Sequence, residues 1–89
     1  ADYKFKMFDY LKAGSISELR SYVCKNVPRE EFEDVYRYMY DNLHEVPKFQ
    51  DVQKYSAAIV TIAAYLYKHA LVADPEINIA AMFIELNNI

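Results

Sequence analysis

The chain has 89 residues, of which 54% are hydrophobic and 26% are charged, and it contains a single glycine. This length fits one domain with one core, and a domain of this size has marginal stability that association would increase. The net charge of −3 comes from 13 acidic and 10 basic residues mixed along the chain. Because Lys and Arg supply most non-specific affinity for nucleic acids, this composition disfavours direct DNA binding.

Nothing in the sequence predicts export or membrane insertion. The first residues are amphipathic and charged, unlike a secretory signal. The longest nearly uncharged stretch, residues 56–67, is shorter than the roughly 20 apolar residues that span a bilayer. The single cysteine, Cys24, excludes an internal disulfide and suits a reducing compartment. These features predict a cytoplasmic location.

The apolar residues recur at intervals of three and four, which predicts an all-α fold, a compact five-helix bundle. The first helix is predicted over residues 3–13 and ends at Gly14, because glycine readily adopts the left-handed conformation that terminates helices. Ser15 and Glu18 have the spacing of a capping box, which predicts the start of a second helix that ends near Asn26.

A third helix is predicted to begin at Pro28, which suits a first helical position. The acidic residues that follow complement the positive end of the helix dipole, so they need no catalytic explanation. Six apolar residues fall within about 100° of one another and predict the core stripe of this helix. They are Phe32, Val35, Tyr36, Met39, Leu43 and Val46.

The fourth and fifth helices are apolar on two sides. The fourth is predicted to begin at an Asp51 cap and to end near Val72, and the fifth has an Asp74 cap with Pro75 at its first position. We expect the core stripe of the fourth helix to be Tyr55, Ile59, Ile62, Leu66 and Ala70. The fifth helix carries Ile77, Ala81 and Ile84 on one flank and Ile79, Met82, Phe83 and Leu86 on the other.

Two such helices exceed what one small core requires, so we predict that their second stripes form an interface with a partner. The predicted subunit interface consists of Val60, Ala64, Tyr67, Leu71, Ile79 and Phe83. Tyrosine is enriched at interfaces, which supports Tyr67 and makes Tyr38 and Tyr40 further candidates.

Catalytic, cofactor and metal sites are not predicted. The two histidines, His44 and His69, lack the spacing of a metal-binding pair, and there is no CxxC motif. A chain with one glycine has no phosphate-binding loop. Cys24 has only Lys25 beside it to lower its pKa, so a half-buried structural role is expected. We therefore expect no enzymatic activity in these 89 residues.

Three segments of the chain resemble the C-terminal collar domain of a clamp-loader AAA+ ATPase subunit, of the replication factor C small-subunit type and similar to the version in T4-like phages. The three segments read FDYLKAGSISELRSYV, EEFEDVYRYMYDNL and DPEINIAAMFIEL. The chain departs from this family at Val72 and Ala73, where many members have a glycine, and the AAA+ module that precedes the collar is absent.

The resemblance implies that residues 1–89 are one collar domain at the C-terminus of a longer subunit. Family members join through their collars into a five-subunit ring that loads the sliding clamp onto primer-template DNA during replication. The resemblance places ATP, magnesium, the clamp and most DNA contacts in the missing module, and it makes the other clamp-loader subunits the partners of this chain.

An alternative interpretation remains open. An unrelated helical adaptor that dimerises, or that binds an amphipathic helix in a groove, has the same pattern of excess apolar surface. A helical DNA-binding domain fits less well, because the charge is wrong for it.

Overall fold

The computed structural model describes residues 3–89, and this part of the chain contains five α-helices and no strand. The predicted all-α fold is therefore confirmed. The helices are α1 (Tyr3–Ala13), α2 (Ile16–Asn26), α3 (Phe32–Asp41), α4 (Val52–His69) and α5 (Pro75–Asn88). Short 3-10 segments at Arg29–Glu31, Leu43–Glu45 and Pro47–Gln50 connect α2, α3 and α4.

The helices pack in an order that differs from their order in the chain. The strongest contacts join α1 to α2, α2 to α5, α5 to α4 and α4 to α3. The last helix therefore lies between α2 and α4, at the centre of the bundle. None of the helices in residues 3–89 combines the length and the apolarity that crossing a membrane requires.

Gly14 terminates α1 as predicted. Its φ of +73° lies in the left-handed region. The Gly14 N–H donates to the Leu11 carbonyl at 3.1 Å and the Ser15 N–H donates to the Tyr10 carbonyl at 2.9 Å, the pair of bonds that marks a left-handed helix terminator. The predicted capping box is wrong, because the Ser15 side chain accepts no hydrogen bond at the start of α2.

The core stripe predicted for the third helix is confirmed, but the helix is shorter than expected. Pro28 is extended, and α3 begins only at Phe32 after a 3-10 turn. The helix ends at Asp41, and a 3-10 turn and a bend carry the last two stripe residues to the core. All six predicted residues, Phe32, Val35, Tyr36, Met39, Leu43 and Val46, are buried.

Aspartates cap both of the last two helices, as predicted. Asp51 accepts a hydrogen bond from the Lys54 N–H at 3.0 Å, and Asp74 accepts one from the Glu76 N–H at 3.0 Å. Each bond satisfies one of the amides that a helix start leaves unpaired. Pro75 occupies the first turn of α5, where its missing N–H costs nothing.

The predicted core stripe of α4 is wrong by about 70° of rotation around the helix axis. Tyr55 and Leu66 are exposed, and the buried residues of α4 are Ala58, Ile62 and Tyr65. Ile59 is half-buried at the edge of the core. The rotation follows from the position of α5, which contacts the side of α4 that carries Tyr65.

Replacing Gly14 by alanine should lower the free energy of unfolding by about 1–2 kcal/mol, because an L side chain is strained at positive φ. A Cβ at this position would lie 3.5 Å from the Asn87 side chain, an ordinary contact, so the backbone angle alone causes the loss. Gly14→Asn should lose less, since asparagine tolerates this region better. Urea unfolding measures both, and equal stability of Gly14→Ala and wild type would contradict the prediction.

Candidate interaction surface

The outer face of α4 is apolar and open to solvent. Val60, Tyr67 and Leu71 are 68%, 72% and 70% exposed, and Ala64 is exposed between them. Val60, Ala64 and Tyr67 recur at intervals of four and three, so they form one stripe along the helix, and Leu71 follows in the turn after α4 ends at His69. The structure therefore leaves the α4 part of the predicted interface accessible. That a subunit covers it stays a prediction.

The α5 part of the predicted interface is wrong. Ile79 and Phe83 are both 0% exposed, so no partner of the folded domain reaches them. The opposite flank faces outward, with Ile77 70% exposed and Ile84 51% exposed. The interface prediction assigned the two flanks of α5 the wrong way round.

The physical reason is the bulk of the two flanks. One flank carries four large side chains, whereas the other carries two isoleucines and small alanines. Because α5 packs between α2 and α4, burying the bulkier flank removes more apolar surface from water. This difference in side-chain volume was present in the sequence and was the signal that identifies the inner flank.

A shallow groove of about 220 Å³ continues the apolar face of α4 towards α3. Tyr40 on α3 is exposed at this groove, which agrees with its selection as an interface candidate. The residues that line the groove are Tyr36, Arg37 and Tyr40 on α3, and Ile59, Ile62, Ala63 and Leu66 on α4. Tyr38 behaves differently, because its ring is half-buried and packs edge-on against Phe8 with centroids 5.3 Å apart.

Charged side chains border this surface without crossing it. Arg37 forms an ion pair with Asp41 at 3.1 Å along α3, and its guanidinium lies 5.4 Å from the centre of the Tyr40 ring. The Lys68 ammonium lies 4.7 Å from the centre of the Tyr65 ring, on the side of α4 that faces α5. The apolar face is therefore free of charge along its length, as the centre of an interface usually is.

A second groove lies between α2 and α5, and the sequence reasoning missed it. It is lined by Arg20, Asp74, Glu76, Ile77, Ala80, Ala81 and Ile84. At the acidic end of this groove, the Arg29 guanidinium forms ion pairs with the Asp74 and Glu76 carboxylates, each at 3.7 Å. The two surfaces lie on different sides of the central helix and differ in charge.

A buried amide fixes how α4 sits on α5. Asn78 is 6% exposed, and its Nδ2 donates to the Tyr36 hydroxyl at 2.9 Å and to the Tyr65 carbonyl at 3.0 Å. The Tyr65 hydroxyl in turn donates to the Glu85 carboxylate. These bonds join α3, α4 and α5, and they hold the outer face of α4 away from the core.

Burial raises the pKa of Tyr36 to about 12. The hydrogen bond from Asn78 acts in the opposite direction but is the smaller effect. The hydrogen bond to the Glu85 carboxylate, together with burial, also raises the pKa of Tyr65, because a phenolate there would face a negative charge.

The remaining candidates for chemistry lie apart from one another. His44 is exposed, while the His69 ring lies 5.4 Å from the Tyr36 ring and its buried Nδ1 has no hydrogen-bond partner. Cys24 is half-buried as expected, and burial and the nearby Glu76 carboxylate raise its pKa. Within residues 3–89, no three His, Cys, Asp or Glu residues come together in a group able to hold a metal ion.

Comparison of the chain with protein-family models, with curated proteins and with solved structures finds no match. The resemblance to clamp-loader collars therefore depends on the sequence pattern alone.

The stability of the domain should fall as the pH rises from about 10 towards 12. The unfolded chain releases the Tyr36 proton near pH 10, whereas the folded chain keeps it until about pH 12, so alkali favours unfolding by up to about 2–3 kcal/mol across this window. Tyr36→Phe should reduce this slope in urea unfolding. Phe49→Leu, which changes core packing without removing a titratable group, should keep the slope, and an unchanged slope in Tyr36→Phe would contradict the assignment.

Proposed function

We propose that this chain is a subunit-association domain, and that it serves as the collar of a DNA polymerase clamp loader. In that role it holds neighbouring subunits in a ring that loads the sliding clamp onto primer-template DNA. The observation that carries the proposal is the uncharged, exposed apolar face formed by Val60, Ala64 and Tyr67 on α4 and by Leu71 in the turn that follows.

The exposed face is larger than the domain needs for itself. The core closes around buried residues from every helix without help from Val60, Tyr67 or Leu71. Removing each of these large side chains from water is worth about 1.5–3 kcal/mol. A contiguous apolar surface of this kind on a small domain marks a site of protein contact more often than it marks a free surface.

The particular role as a collar is supported by the sequence resemblance. The three similar segments cover the α1–α2 step at Gly14, the helix α3 and the Asp74-capped helix α5. The net charge of −3 agrees with a domain whose partners are proteins. ATP, magnesium, the clamp and most DNA contacts would belong to an AAA+ module of the parent subunit.

A second candidate is a helical adaptor that takes an amphipathic helix into the groove between α3 and α4. The apolar lining of that groove by Ile59, Ala63 and Leu66 favours it. A coding sequence with no ATPase module upstream of residue 1 would favour the adaptor over the collar.

Replacing Val60 by glutamate in the full-length subunit should abolish assembly while the helical content stays at the wild-type level. The new charge lies on the exposed face, where a partner would have to desolvate it, so binding should weaken by about tenfold or more. Native mass spectrometry of the complex and circular dichroism of the subunit measure the two effects. Phe5→Glu is the matched control, because Phe5 is 73% exposed on α1, away from this face.

Intact complexes from Val60→Glu would overturn the proposal. Phe83→Asp is not an informative interface variant, because Phe83 is fully buried. A carboxylate at that position should unfold the domain, and an assembly defect would then follow from lost structure.

A further inference from the structure

The negative charge of the protein is concentrated in the segment that contains α3. Residues 29–45 include six acidic and two basic residues, whereas the rest of the chain includes seven acidic and eight basic residues. The net charge of −3 therefore comes from this segment alone. A charge concentrated on one element attracts a partner of opposite sign and repels a partner of the same sign.

One side of α3 already contacts a basic amphipathic helix of the same chain. Helix α1 carries three lysines and one aspartate, and the Lys4 ammonium lies 5.1 Å from the centre of the Tyr38 ring on α3. Burial, followed by the Glu31 and Asp34 carboxylates, raises the pKa of the Tyr3 hydroxyl, so both acids lie near the start of α1. This side of α3 thus combines an aromatic ring and acidic residues with a basic helix.

The groove between α3 and α4 offers the same chemistry on the other side of α3. Tyr40, two residues and therefore about 200° around the helix from Tyr38, is 42% exposed at this groove. Glu33 lies four residues before Arg37 and seven before Tyr40, so the three share one face of the helix. Glu33 is exposed and forms no ion pair within residues 3–89, whereas the Arg37 charge is balanced by Asp41. The rim of the groove is therefore negative.

The shape of the groove suits the side chains of a helix better than a small molecule. Its volume of about 220 Å³ is below the roughly 300–1,000 Å³ that is typical of small-molecule pockets. On the α4 side, the lining consists of Ile59, Ile62, Ala63 and Leu66, which are all apolar. Grooves of this kind take the apolar face of an amphipathic helix, whose anchor residues recur at intervals of three and four.

We propose that the groove between α3 and α4 binds an amphipathic helix of a partner protein, and that the polar face of this helix is basic. This inference rests on the second candidate function, because it names the chemistry of the helix that the adaptor takes. The apolar face of the partner helix contacts Ile59, Ala63 and Leu66, and its lysine or arginine side chains lie beside Glu33. The outer face of α4 stays accessible, so the collar role and this contact are compatible.

Two designed peptides test the charge of the partner. Each is about 15 residues long, with a fluorescent label and with leucines at intervals of three and four, and its polar face is lysine in one and glutamate in the other. In fluorescence anisotropy with the 89-residue chain at low salt, the lysine peptide should bind about tenfold more tightly than the glutamate peptide. The difference should shrink in about 1 M salt, because salt screens exposed charges.

Charge reversal at the rim tests the role of Glu33. Glu33→Lys should weaken binding of the lysine peptide by about fivefold and strengthen binding of the glutamate peptide. Glu18→Lys is the matched control, because Glu18 is also exposed and also lies in the first turn of its helix. Both variants change the net charge and the helix dipole in the same way, so Glu18→Lys should change either affinity by less than about twofold.

Two glutamine variants of α4 test where the peptide binds. Leu66→Gln removes an apolar contact in the groove without adding a charge, so it should weaken binding of both peptides by about fivefold. Val60→Gln makes the same kind of change on the outer face of the same helix and should leave both affinities unchanged. Circular dichroism confirms that each variant is folded.

The outcomes separate this inference from the functions proposed above. Equal affinity of the two peptides, or unchanged affinities in Glu33→Lys, would overturn the assignment of a basic partner and leave the adaptor function standing. Binding of neither peptide at up to about 1 mM would overturn both. Loss of binding in Val60→Gln but not in Leu66→Gln would place the peptide on the outer face and contradict the inference. None of these results bears on the collar, which fails only if Val60→Glu leaves the full-length complex intact.

Discussion

The arrangement of the last two helices depends on the buried amide of Asn78. A buried amide without partners would cost free energy, so the positions that satisfy it are strongly preferred. Its two donor bonds reach the Tyr36 hydroxyl and the Tyr65 carbonyl, which lie on different helices. Apolar packing alone tolerates small rotations of a helix, whereas these directional bonds select one orientation of α4 against α5.

That orientation decides which surfaces remain for a partner. With Tyr65 turned towards α5, the stripe of α4 that carries Val60 and Tyr67 faces solvent. The bulky flank of α5 fills the centre of the bundle, and its smaller flank lines a separate groove beside α2. The exposed apolar surface is thus a consequence of the hydrogen bonds and side-chain packing that fix the core.

The sequence predicted the elements whose cause is local. The Gly14 terminator and the aspartate caps depend on one or two residues each, and the core stripe of the third helix follows from its single apolar side. The Ser15 capping box was also a local prediction, but there the left-handed turn of the preceding helix sets the backbone, and the serine side chain makes no cap bond.

The sequence did not predict which side of α4 and of α5 faces the core. Both helices have two apolar sides, and periodicity cannot rank one above the other. The ranking comes from tertiary contacts, namely the position of α5 between α2 and α4 and the bonds of Asn78. The outer stripe of α4 was identified correctly as spare surface, and the one on α5 was inverted. A partner that covers α4 would bind only the folded orientation, so association and the Asn78 contacts stabilise the same state and are thermodynamically linked.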